Sequence, residues 1–247
     1  SSHGISEIQV DLAAPDTNDL QSLADFFNGT TVDANGNLSQ GAVLTGLHNA
    51  ATEIGGSGVG VQLEVGHNGV DAPAFHISEA EANTLISDGL SFAAHDNITM
   101  DVAGGTHLSN SLKQLEKLSI DQVSVTGSDG LTVSLGDESL GAAVAGGLPH
   151  FDGAPVTLEM SATDLTNEIG NLGAEGLALS SHGISEIQVD LAAPDTNDLQ
   201  SLADFFNGNT IDAQGNTVTL TSLHNAATEI GGSGVGVQLE VGHNGVD

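Results

Sequence analysis

Residues 1–29 recur letter for letter at 180–208, a displacement of 179 residues, and residues 47–71 recur at 223–247, a displacement of 176. A fixed long period is the signature of stacked repeat architectures, in which each unit buries its apolar face only against a neighbour. The two displacements differ by three residues, and the difference falls between the blocks, near Leu38 and Val43. Loops absorb such length changes with least damage to packing. The expected organisation is one complete long repeat over residues 1–179 and the start of the next copy over residues 180–247. The second copy breaks off at Asp247, where the first runs on into Ala72, and neither end reads as a polar cap. The expectation is a segment of a longer repetitive protein, or a piece that polymerises end to end. The opening residues Ser1, Ser2, His3 and Gly4 match the interior Ser180, Ser181, His182 and Gly183, so they do not read as a signal peptide.

A shorter unit lies inside the long one. Ile8, Val10 and Leu12 alternate with Glu7, Gln9 and Asp11, and Val59, Val61, Leu63 and Val65 alternate with Gly60, Gln62 and Glu64. The same period of two runs through Ile98, Met100 and Val102, through Val123 and Val125, through Leu131, Val133 and Leu135, and through Val156, Leu158 and Met160. Each such run predicts a strand with one buried and one wet face. Helical stripes stand between them: Leu20, Leu23 and Phe27; Leu47, Ala51 and Ile54; Leu108, Leu112 and Leu115; Leu140 and Val144; and Leu165, Ile169 and Leu172, ending at Gly173. A sixth helix is marked by Ser78 and Glu81 at capping-box spacing, with Gly89 as its stop. Residues 31–37 carry Asn35 and Gly36, a pair suited to a hairpin turn, and the second copy has Gln214 and Gly215 there.

Six helices in 179 residues give units of about 30 residues, within the range of known repeats. Strands with one apolar face and helices with one apolar stripe close most simply as two layers. The fold class expected is an α/β repeat: an elongated two-layer solenoid of helix–strand units, helices on one face of a long sheet, with hairpins inserted.

The surface chemistry excludes several functions. The chain has 33 Asp and Glu against 2 Lys and Arg, a formal charge of −31. Nucleic-acid phosphate and anionic lipid both need basic side chains, so neither is a partner. No apolar run reaches the roughly 18 residues of a membrane helix. With no Cys, disulfides, zinc–thiolate sites and cysteine nucleophiles are all impossible. Yet 38% of residues are hydrophobic, more than a disordered acidic chain carries.

The run from Ile77 through Ser78, Glu81, Leu85, Ile86, Gly89 and Phe92 to Ile98, and the Leu-rich helix and paired strands between Leu115 and Leu135, resemble degenerate helix–strand repeats of very large, acidic, type I-secreted bacterial surface proteins, the adhesins and calcium-binding repeat proteins. The resemblance implies a secreted, surface-attached or matrix-forming structural role and raises calcium as a ligand. The calcium nonapeptide found elsewhere in such proteins is absent. Gly55, Gly56, Ser57 and Gly58 begin like it but lack its Asp.

No residue pattern argues for catalysis. Ten histidines occur in seven distinct contexts, none at H-E-x-x-H or H-x₃-H spacing, and they read as turn and loop-edge residues. There is no Gly-x-Ser-x-Gly elbow near a strand end and no Walker lysine, and the two lysines, Lys113 and Lys117, share one helix face. A metal reading attaches to Asp33, Asn35 and Asn37, with Asp212 and Asn216 in the second copy, because their alternation resembles the start of a calcium loop. An EF-hand would need Gly at the sixth position and Glu at the twelfth, and Leu38 and Leu44 stand there, so a plain hairpin turn is the competing reading. Stacked strands would also align Glu7, Gln9 and Asp11, Gln62 and Glu64, and Thr157 and Glu159 into rows that attract divalent cations.

The function expected is therefore structural and non-enzymatic. The chain reads as a repeat segment of an extracellular fibre, adhesin stalk or matrix filament that associates with itself and with divalent cations. The alternative is a solenoid module that binds surface glycans or another cell-surface partner. Its lack of Trp and Tyr removes the usual sugar platforms, and Phe75, Phe92 and Phe151 read as core.

Overall fold

The structure, a computed structural model, describes residues 7–12, 31–32, 38–39, 60–65, 74–94, 96–191, 208–211 and 215–241. Among these the fold is mixed α/β with parallel sheets, six helices and no closed barrel. The strands are β1 (Glu7–Leu12), β2 (Thr31–Val32), β3 (Leu38–Ser39), β4 (Gly60–Val65), β5 (Phe75–Ser78), β6 (Leu90–Phe92), β7 (Ile98–Ala103), β8 (Gln122–Thr126), β9 (Leu131–Ser134), β10 (His150–Asp152), β11 (Val156–Ser161), β12 (Ile184–Leu191), β13 (Asn209–Ile211), β14 (Thr217–Thr219) and β15 (Gly236–Val241). The helices are α1 (Glu79–Asp88), α2 (Leu112–Leu118), α3 (Leu140–Gly146), α4 (Ala162–Asn167), α5 (Leu172–Ser181) and α6 (Leu220–Gly231). None is long and apolar enough to cross a membrane. The chain divides into two compact units, Ser1–Val102 with Gln114–Ser124, and Ala103–Lys113 with Val125–Asp247.

In the first unit β1, β4 and β6 form a parallel sheet in that order, with Ile8 opposite Val61 and Leu63 opposite Phe92. A second sheet places β7 between β5 and β8, and β5 and β7 run parallel. Val61, Leu63, Ile98 and Met100 are buried, as the alternation predicts, and Phe75, Ile77, Leu90 and Phe92 join them in the core. Phe75 and Phe92 meet edge to face, their centroids 5.9 Å apart. Ser78 ends β5 and caps α1 directly: the Glu81 amide reaches its hydroxyl at 3.4 Å, and its own amide donates to Glu81 Oε2 at 2.6 Å. Gly89 closes the helix at φ 68, a left-handed turn that delivers the chain into β6.

In the second unit β9, β11, β12 and β15 form a parallel sheet whose spatial order is the order along the chain. A further bridge joins His107 to Thr132 on β9. Leu131, Val133, Val156, Leu158, Ile187 and Val189 fill one face, and α4, α5 and α6 pack against β11, β12 and β15. Strand passes to helix without a loop, since Ser161 ends β11 and caps α4, and Thr219 ends β14 and caps α6. The hairpin appears in both copies as antiparallel pairs, β2 with β3 and β13 with β14.

Several local expectations are corrected. The stripe Leu165, Ile169, Leu172 is not one helix. Asn167 ends α4, Gly170 adopts φ 104, and α5 starts afresh at Leu172 and continues through Gly173 to Ser181. Ile169 consequently lies 43% exposed. Leu108 is buried but precedes α2, its amide bonded to Thr132 O at 2.8 Å. The short strands β5, β6 and β10 carry no alternation long enough to announce them. The stripes at Leu20 and Leu47 lie outside the described residues, but the second copy of the latter is α6, with Leu223 and Ile230 buried.

Candidate functional site

The sheet of the second unit ends in an acidic cleft. Parallel pairing sets Glu159 beside Gln188, Ser161 beside Asp190, and Asp190 beside Glu240. Side chains at paired positions of neighbouring strands share a face, so the pairing builds rows of carboxylates, amides and hydroxyls across β11, β12 and β15. Gln188 Nε2 donates both to Asp190 Oδ1, at 3.2 Å, and to Glu240 Oε2. Asp190 is only 6% exposed and Ser161 7%. A cleft of about 120 Å³ opens here, lined by Ser134, Glu159, Ser161, Asp164 and Asp190 among others. It lies at the carboxyl ends of parallel strands, where open α/β sheets place their ligands. Ser161 Oγ donates to Asp164 Oδ2, and the Asp164 amide returns to Ser161 Oγ at 3.0 Å. His107 Nδ1 stands 3.6 Å from Glu159 Oε2. Such a surface can attract cations or hydrogen-bond to hydroxyl-rich groups. The Ser161 hydroxyl both caps α4 and donates to the Asp164 carboxylate.

The backbone register is the same in both copies. Gln9 pairs with Gln62 and Asp11 with Glu64, just as Gln188 pairs with Gln238 and Asp190 with Glu240. The rows are thus a property of the repeat and not of one site.

A second acidic cluster lies among the helices. Glu168 follows α4, Glu175 sits on α5 and Glu229 on α6. Glu175 is 6% exposed, and its Oε2 is buried without a hydrogen-bond partner. Burial first, then the charge and hydrogen bond of Glu168 and the charge of Glu229, push the Glu175 carboxyl up to about 7. The Gly141 amide donates to Glu168 Oε1 at 3.4 Å, and the Gly170 amide donates to both oxygens of Glu229 at 3.0 Å. A proton on Glu175 removes its buried charge from beside Glu168 and Glu229. Glu229 on α6 is far in the chain from Glu168 after α4 and Glu175 on α5, and nothing local in the sequence announces their meeting.

Of the residues with a calcium-loop pattern, Asp33, Asn35, Asn37 and Asp212 lie outside the described residues. Asn216 is exposed between β13 and β14. Among the described residues no group of three His, Cys, Asp or Glu side chains is arranged to hold a metal ion. The histidines are less confined to turns than the sequence suggests: His76 and His150 are exposed on strands and His224 on α6. His182 ends α5, its Nδ1 2.8 Å from Ala178 O. His76 Nδ1 pairs with Asp101 Oδ2 at 2.9 Å on the surface. Phe75, Phe92 and Phe151 are buried, as expected, so they offer no stacking platform. No family model, no curated protein and no solved structure matches this chain.

Proposed function

We propose that this chain is a structural repeat segment of an extracellular fibre, adhesin stalk or matrix filament, a two-layer solenoid that associates with itself. The observation that carries the reading is the agreement of chain order with spatial order. In the sheets β1–β4–β6 and β9–β11–β12–β15 each strand pairs in parallel with its predecessor, and the pairs β1–β4 and β12–β15 repeat one register in both copies. The steps between paired residues support units of about 30 residues. They run from Phe75 to Ile98 (23 residues), Leu131 to Val156 (25), Val61 to Leu90 (29) and Leu158 to Ile187 (29). The step from Ile187 to Val237 is 50 residues and accommodates the hairpin β13–β14. An array that lengthens by adding such units has a mechanical role, and its repeated carboxylate rows draw divalent counter-ions to it.

Electron microscopy of the purified chain, with and without calcium, tests the reading. Filaments or end-to-end oligomers are expected. Compact particles that stay monomeric at high concentration in both conditions would remove the self-associating fibre.

A further inference from the structure

The sequence Gly60–Val65 of β4 is repeated without change as Gly236–Val241 of β15, and both strands hold the same partner on one side. That partner, β1 in one case and the matching part of β12 in the other, has the same sequence and sits in the same register. The two pairs differ on the other side. β4 is an inner strand, with β6 on its outer flank: Val61 faces Leu90, Leu63 faces Phe92, and the Ala93 amide donates to Leu63 O at 2.8 Å. Among the described residues β15 is the last strand of its sheet. The consequence is visible in one side chain, since Leu63 is 0% exposed and its copy Leu239 is 47% exposed. An edge strand with a bare apolar residue is a template for another strand.

We infer that the outer edge of β15 is a docking site for a second copy of residues 75–92, the β5–α1–β6 segment, its β6 strand pairing with β15 as the first copy's β6 pairs with β4. The occupant follows from identity of the receiving surface. In the first unit a strand of sequence Leu-Ser-Phe already pairs with three of these six residues, Val61–Leu63, the Ala93 amide after it closes the Leu63 carbonyl, and Leu90 and Phe92 are buried at 3% and 0%. The same strand on β15 would cover Leu239 and occupy its outward carbonyl. The opposite edge carries the mirror of this deficit. Ile8 on the edge strand β1 is 39% exposed, whereas its copy Ile187, flanked by β11, is 0% exposed. The inference rests on the repeat reading above and names the partner at its growing edge.

The test joins residues 72–94 after Asp247 of the full chain, reproducing the natural junction of Asp71 with Ala72. Amide hydrogen exchange is then followed in β15. The expected result is exchange slowed by roughly tenfold or more within Val237–Leu239, the counterpart of the Val61–Leu63 stretch that β6 covers. That slowing should vanish when the added copies of Leu90 and Phe92 are both changed to Asp. Unchanged exchange in the extended chain would overturn the inference. So would protection of β15 that appears in the unextended chain as concentration rises and is abolished by Ile8→Asp. That result would assign the edge to β1 of another molecule and leave the filament reading standing. Slowed exchange in an extended chain that never forms filaments would uphold the docking and remove the fibre.

Discussion

Asp190 on β12 stands in register beside Glu240 on β15, and the Gln188 amide donates to both carboxylates. Two like charges on adjacent strands repel, and here a single neutral donor offsets that repulsion. Gln188→Glu removes the donor and adds a third carboxylate. The expected loss is about 2 kcal/mol or more, because hydrogen bonds to charged groups contribute on that scale and Asp190 is buried. Urea unfolding at low and high salt checks this. The variant's deficit should shrink at high salt, since screening weakens the added repulsion. Equal midpoints for both proteins at low salt would show that the bridge contributes nothing.

Glu175 gives the second unit a pH dependence of defined sign. Its folded pKa is pushed up to about 7 from an ordinary 4.5 by burial, Glu168 and Glu229. Between those values the folded state holds a proton that the unfolded state has released. The contribution is therefore fully present below about 4.5 and is lost as pH rises through about 7. Glu175→Gln keeps an uncharged donor in place and removes the titration. Relative to the variant, the parent protein should lose stability from pH 5 to pH 8, measured as the difference in urea midpoints. Taking the difference cancels the pH-dependent repulsion of the other carboxylates. A pH-independent difference would contradict the raised pKa of Glu175.

How far the sequence disclosed this architecture depends on the range of the signal. Period-two alternation marked β7, β8, β9 and β11, because each has one face against the core. Ser78, Glu81 and Gly89 marked both ends of α1, because caps are local chemistry. The break between α4 and α5 was hidden, since Leu165, Ile169 and Leu172 keep helical spacing across a turn at Gly170 that Glu229 holds from a distant helix. The burial of Asp190 was hidden too, because alternation assigned it to the wet face and only its tertiary surroundings exclude water. The carboxylate rows themselves were legible, since repeated sequence in repeated register aligns like residues.

Two glycines on α5 should respond with opposite signs. A Cβ on Gly176 would lie 2.3 Å from Ser233 Oγ and 2.7 Å from Ile230 Cγ1, so this glycine permits the close approach of α5 to α6. Gly173, one turn earlier, has nothing within 4 Å of the same atom. Gly173→Ala should stabilise by up to about 1 kcal/mol through helix propensity alone. Gly176→Ala gains the same propensity but must displace Ile230, and overpacking of about 1–3 kcal/mol reverses the sign. Thermal unfolding of the two variants side by side decides it, and stabilisation by both would mean the helices part without cost.

Ser119 is the one described residue other than glycine with positive φ, at 60°, and it terminates α2. Its amide bonds Glu116 O at 2.8 Å and the next amide, of Ile120, bonds Leu115 O at 3.1 Å, the two reversed bonds of a Schellman stop. Gly89 performs the same office after α1, at φ 68. A side chain in this conformation costs on the order of 1 kcal/mol, which glycine avoids. Ser119→Gly should therefore raise stability by about 0.5–1 kcal/mol, and Gly89→Ser should lower it by a similar amount. The pair is its own control, because both sites share the same geometry and a Cβ on Gly89 meets nothing within 4 Å. A Ser119→Gly protein with a lower melting temperature than the parent would show that the serine hydroxyl, and not the backbone, governs that helix end.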